Sequence, residues 1–118
     1  MKLIKERKET MVSTNKLLIL RCLLNEKTLS VSDVNTIVNS VKGKTQRPYS
    51  YIKNDVFELA HKRCIEYSEA QEENNRKKKY IKITEKGKEY YKKLAKEFKS
   101  EMNTRERILD EIKRGEEI

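Results

Sequence analysis

Long apolar runs are missing from this sequence: the longest covers residues 17–20, far short of the roughly 20 residues that cross a bilayer. The first residues alternate charges rather than forming an apolar signal core, so a soluble, cytoplasmic protein with no membrane contact is expected. Cysteine is scarce. Cys22 and Cys64 stand far apart in apolar surroundings, which fits two buried free thiols better than a disulfide framework or a four-ligand zinc site. Histidine occurs once, as His61, with no carboxylate or cysteine at ligand or triad spacing. No nucleophile, metal cluster or carboxylate pair stands in a recognisable arrangement, so neither an enzyme, a metal nor a cofactor is expected. The Gly-Lys-Thr of residues 43–45 matches the end of a phosphate-binding loop. Its earlier glycine would fall at Val38, and no apolar strand precedes it, which removes nucleotide binding. With 118 residues, 36% of them hydrophobic, the chain can bury a small core but not a large enclosed active site.

What the sequence has is charge. Lys and Arg number 28 against 19 Asp and Glu, a formal net charge of +9. The excess is densest at Lys44, Arg47, Lys53, Lys62 and Arg63, and again at Arg76, Lys77, Lys78 and Lys79. The C-terminal third is nearly balanced, with acids and bases mixed at helical spacing, and reads as a solvated helix face. A positive balance of this size attracts polyanions by electrostatics alone.

Apolar periodicity divides the chain into an arm or short helix at 1–12, a domain at 13–83 and a C-terminal helical region at 84–118. Ser13 or Thr14 caps a first helix reaching about Leu24, with Leu17, Leu20, Leu23 and Leu24 on its apolar face. Ser32 and Asp33 offer a start for a second helix carrying Val34, Ile37, Val38 and Val41 on one stripe, stopped by Gly43. Pro48 suits the first turn of a third helix that runs to about Arg63 and buries Ile52, Val56, Leu59 and Ala60. The period then changes to two. Ile65 and Tyr67, and again Ile81 and Ile83, alternate with polar residues, predicting two strands facing one core across the polar stretch 71–78, with Asn74 and Asn75 suited to the turn. Thr84 caps a last helical region with Tyr91, Leu94, Phe98 and Met102 on one face; Ile108, Leu109 and Ile112 prolong it after a weak patch at 103–105.

The fold class that follows is mainly α with a small antiparallel β-hairpin: a winged helix-turn-helix with an extended C-terminal helical region. Helices one and two form a platform, and the outward side of the third is free to enter a DNA major groove, which admits one α-helix. With Ile52 at the centre of the buried side, Arg47, Ser50, Asn54 and His61 fall opposite, flanked by Gln46, Tyr51 and Lys53. Arg is the commonest reader of guanine and Asn of adenine, so Arg47 and Asn54, helped by Gln46 and Ser50, are the candidate base readers. Lys44, Tyr49, Tyr51 and Lys53, with Arg76, Lys77, Lys78 and Lys79 of the hairpin, are candidate backbone contacts.

The stretch Leu59-Ala60-His61-Lys62-Arg63-Cys64-Ile65 resembles the end of the recognition helix and start of the wing in winged-helix regulators of the MarR and PadR type. Tyr80-Ile81-Lys82-Ile83-Thr84-Glu85-Lys86-Gly87 resembles the segment that closes their wing. The likeness covers about residues 13–98, and departs from the pattern where Arg63 stands in place of the usual glycine. It implies a homodimer joined through terminal helices and reading a pseudo-palindromic site on double-stranded DNA. Tyr91, Leu94, Phe98, Met102, Leu109 and Ile112 fit such a seam, which Arg105 interrupts.

The function expected is sequence-specific, repressor-like regulation of transcription by a nucleoid-associated protein. Two alternatives stay open: a plasmid or prophage partition adaptor that coats centromere repeats and recruits a motor protein, and a winged-helix module that binds another protein. The basic hairpin counts against the latter.

Overall fold

The computed structural model describes residues 13–25, 28–43, 48–73 and 76–116, with backbone alone for 69–73 and 76–78. The expected arm at 1–12, with Lys44, Gln46 and Arg47 and the turn residues Asn74 and Asn75, lies outside the described residues. The chain forms two compact units, one spanning Ser13–Tyr91 and the other containing Lys92 onward.

The first unit holds α1 (Thr14–Leu23), β1 (Leu29–Ser30), α2 (Val31–Lys42), α3 (Tyr49–His61), β2 (Ile65–Glu73), β3 (Arg76–Ile83) and the start of α4 (Glu85–Glu116). Ser13 caps α1 by accepting a hydrogen bond from the Lys16 amide at 3.3 Å, as its sequence position predicts. Three helices converge on one core. Ile19, Leu20 and Leu23 of α1 meet Val34 and Val38 of α2 and Ile52, Val56 and Leu59 of α3, all essentially inaccessible to water. Each such side chain contributes about 1.5–3 kcal/mol by leaving water. Cys64, Ile65 and Ile81 extend the core under the sheet.

Several expectations are corrected. The cap of α2 is Ser30, whose Oγ accepts from the Asp33 amide at 3.1 Å; it lies outside the apolar stripe that suggested Ser32 or Asp33. Ile37 and Val41 are exposed: of the expected stripe, Val34 and Val38 alone are buried. Leu29 and Ser30 form a third strand, paired with Ile81 and Tyr80, in a sheet ordered β1-β3-β2. Two residues are too few to show a period. Strands β2 and β3 run through most of the polar stretch, to a last pair Glu73–Arg76, since backbone pairing does not require apolar side chains. Tyr67 is exposed rather than turned to the core. The weak patch at 103–105 does not break the last helix: α4 is continuous for 32 residues, about 48 Å at 1.5 Å per residue.

The junction after α3 resolves the missing glycine. Arg63 itself adopts the left-handed conformation, with φ 63°. The Cys64 amide donates to the Leu59 carbonyl at 2.9 Å and the Arg63 amide to the Ala60 carbonyl at 3.0 Å, the paired bonds of a Schellman motif. The helix thus ends at His61, a turn-half before the expected Arg63. Thr84 then locks the wing to this corner. Its hydroxyl lies 2.7 Å from the Arg63 carbonyl and 3.0 Å from that of Cys64, and accepts from the Gly87 amide at 3.0 Å. Gly87 is required here: a Cβ would overlap the Cys64 carbonyl oxygen and approach Ile83 Cγ1 to 2.8 Å.

Candidate nucleic-acid interface

Helix α3 starts after Pro48, whose fixed backbone needs no amide hydrogen at a helix entry, and presents its apolar stripe inward. Polar ties fix its rotation on the platform. Lys16 of α1 is ion-paired with Glu58 of α3. Burial works against the charge of Lys16, but the bond to Glu58 and the nearby carboxylates of Glu58 and Asp55 hold its pKa above the ordinary value. The same bond pulls the Glu58 carboxyl below its usual range. Asn15, nearly buried, accepts a 2.6 Å hydrogen bond from Lys42 of α2 and bonds Asp55 of α3. Burial raises the Asp55 carboxyl, and the Asn15 bond partly opposes that.

With the inward side so fixed, Ser50, Tyr51, Lys53, Asn54, Phe57 and His61 are exposed. Of the candidate base readers, Ser50 and Asn54 therefore stand on the free side of α3; Gln46 and Arg47 precede the helix, outside the described residues. Of the candidate backbone contacts, Tyr49 and Tyr51 are exposed, and Lys53 Nζ sits 5.4 Å from the centroid of the Tyr49 ring. This cation–π contact holds an ammonium at the rim of the helix. Lys79 in β3 is exposed, with Nζ 5.7 Å from the Tyr67 ring centroid. Arg76, Lys77 and Lys78 lie further along β3, paired in register with Glu73, Glu72 and Gln71.

The two sets meet. Tyr49, Lys53, Asn54 and Phe57 of α3, Tyr67 and Lys79 of the wing, and Ser30 to Ser32 at the start of α2 line one cleft of about 640 Å³. The arrangement offers two ammonium groups, an amide and three aromatic rings along one concave surface. Phe57 and Tyr67 were not singled out from the sequence as part of it. The 3.6-residue period does put Phe57 opposite Ile52, so the signal was present, but an apolar residue attracts a core assignment first.

In the second unit, Leu94 is buried, Phe98 and Met102 are half-buried, and Ile108, Leu109 and Ile112 are exposed; Tyr91, at the end of the first unit, is half-buried. Among the described residues no helix is long and apolar enough to cross a membrane, and no cluster of three or more His, Cys, Asp or Glu is placed to hold a metal ion.

No protein family's sequence profile and no curated protein sequence matches the chain. Solved structures do. A PadR-like transcriptional regulator from Bacillus cereus superposes with a TM-score of 0.65 at 20% identity, over 80% of this chain and 89% of that one. A PadR family transcription regulator from Clostridium difficile gives 0.66 at 13% identity, over 82% and 99%. Bacillus subtilis PadR, solved in complex with operator DNA, gives 0.57 at 22% identity, over 66% of this chain and 44% of that one. At these identities the likeness is one of fold: this chain is a winged helix built as those regulators are.

Proposed function

We propose that this chain is a transcriptional regulator that binds double-stranded DNA as a homodimer. The observation that carries the reading is the shared cleft: Tyr49, Lys53 and Asn54 of α3 and Lys79 of the wing open onto one surface, so a helix and a cationic strand can engage one duplex together. The PadR–operator complex supports it by analogy of fold. In this reading Asn54 and Ser50, with Gln46 and Arg47 from the preceding segment, address base edges. Lys44, Tyr49, Tyr51, Lys53 and the wing bases Arg76, Lys77, Lys78 and Lys79 hold phosphates. Two copies join through the apolar side of α4, namely Tyr91, Leu94, Phe98, Met102, Leu109 and Ile112, which would space two recognition helices for a pseudo-palindromic site. Such a protein resides on the nucleoid.

The test is anisotropy titration of the full chain with random-sequence duplexes at several salt concentrations, followed by selection from a random duplex pool. Expected are binding at low salt whose logarithm falls linearly with log salt, and a selected consensus with two inverted halves. No attachment to duplexes at low ionic strength would refute the reading.

A further inference from the structure

Among the described residues, nothing buries Phe57 in a way that explains its identity. It is 66% exposed, more than Tyr49 at 37% or Tyr51 at 49%, and so the most exposed aromatic residue of α3. The core side of the helix is complete without it, in Ile52, Val56 and Leu59. As a helix former it ranks below Ala, Leu, Lys or Glu, any of which would suit a solvated position better. With Tyr49 and Tyr67, which line the same cleft, the ring forms an exposed aromatic patch rimmed by polar groups, the kind of surface that meets a partner.

Its neighbours say which. Phe57 stands three residues after Asn54, four after Lys53 and seven after Ser50, all exposed on one side of α3. It also lines the cleft with Asn54, Lys53 and Lys79. An apolar ring bordered by an amide, a hydroxyl and two ammonium groups suits a surface that is anionic at its edges and carries one apolar feature within. In a major groove that feature is the C5-methyl of thymine, the sole methyl among the four base edges, and Phe is one of the side chains that contact it. Residues at i and i+3 lie about 5–6 Å apart on a helix, so the two side chains can reach neighbouring base pairs, which stack about 3.4 Å apart, and Asn is the bidentate partner of adenine.

We propose that Phe57 is a specificity-determining residue that packs on a thymine methyl beside an adenine read by Asn54, so each half-site contains an A·T step at this position. The inference rests on the duplex-binding reading above and deepens it.

The experiment uses the full chain and the duplex selected from the random pool. Each thymine is replaced in turn by deoxyuridine, which deletes the methyl and leaves every hydrogen-bonding group in place. Wild-type protein is expected to lose about fourfold affinity per half-site at one thymine, the value of one buried methyl, and nothing at the others. Phe57→Ala should bind the thymine and uracil duplexes equally, and Phe57→Leu should keep part of the difference. Because the ring is exposed, both variants should match wild type in far-UV circular dichroism and melting. Duplex binding with no thymine–uracil difference at any position, or an undiminished difference in Phe57→Ala, overturns this inference alone. Absence of duplex binding by wild type overturns both readings. A changed sedimentation mass in Phe57→Ala would put the ring in a protein contact and also overturn the proposal.

Discussion

Arg63 and Gly87 are two residues on one corner whose backbones are asked for opposite things. Arg63 carries a β-carbon into the left-handed region, at a strain of about 1–2 kcal/mol, because the Schellman bonds after α3 require φ near 63° there. Arg63→Gly removes that strain while adding unfolded-chain entropy, so a net stabilisation of about 0.5–1 kcal/mol is expected. It would appear as a higher urea midpoint with unchanged slope. Gly87→Ala should do the reverse. The added methyl meets the Cys64 carbonyl, and backbone has to move, so a loss of about 3 kcal/mol is expected in the same titration. Cys22 supplies a pH dependence. Burial, only partly opposed by its hydrogen-bonding environment and Arg21, pushes its thiol from 9.0 up to about 11. A raised folded pKa means that the thiol's contribution is complete below pH 9, then declines as the pH climbs toward 11. Native protein should therefore alkylate at Cys22 with a midpoint near pH 11, and urea-unfolded protein near 9; equal midpoints would show that the thiol is not desolvated.

At the scale of elements, strand register places acidic residues opposite some of the bases of the wing and a neutral one opposite another. Strand register sets Arg76 against Glu73 and Lys77 against Glu72, and Lys82 is bonded to Glu66 at 3.2 Å, whereas Lys78 is opposite neutral Gln71. If the wing holds phosphates, Lys78→Ala should lower the salt slope of duplex binding by about one, and Lys77→Ala by distinctly less. Equal slopes for the two variants would mean that register does not govern which bases are available. This distinction was invisible in the sequence, because composition counts Glu72 and Glu73 without saying what they oppose. Much else was legible. The cap at Ser13, the stop at Gly43, the stripe Ile52, Val56 and Leu59, and the cap at Thr84 all follow from spacing and local chemistry. What failed depended on tertiary context. A two-residue strand has no period, Ser30 caps from outside the apolar stripe, and Ile37 and Val41 keep helical spacing although no element among the described residues covers them. In the candidate site, Asn54, Lys53 and Lys79 were found through hydrogen-bonding and charge patterns, and Phe57 and Tyr67 were missed because exposure of an aromatic ring is decided by what does not pack against it.

For the molecule as a whole, the sequence and the single chain give different emphasis to α4. Leu94, Phe98 and Met102 are already wholly or partly covered within one chain, so substituting them mixes loss of assembly with loss of folding. Leu109 and Ile112 are 49% and 53% exposed, three residues apart on the same face, with Arg105 and Arg107 nearby to keep them soluble. They are the cleaner probes of a dimer. Leu109→Asp with Ile112→Asp removes little buried area from the single chain, and the far-UV helix signal should stay near that of wild type. If two copies meet along this face, the pair of carboxylates would be buried without partners, and sedimentation should report a monomer. Duplex affinity should then fall by about a hundredfold or more, because each half-site is bound without the tether to its twin, while the affinity for an isolated half-site is kept. An unchanged sedimentation mass would remove this stretch of α4 from the seam. A monomer that retains full-site affinity would break the link between the helix and paired half-site recognition, since one winged helix would then suffice for the whole operator.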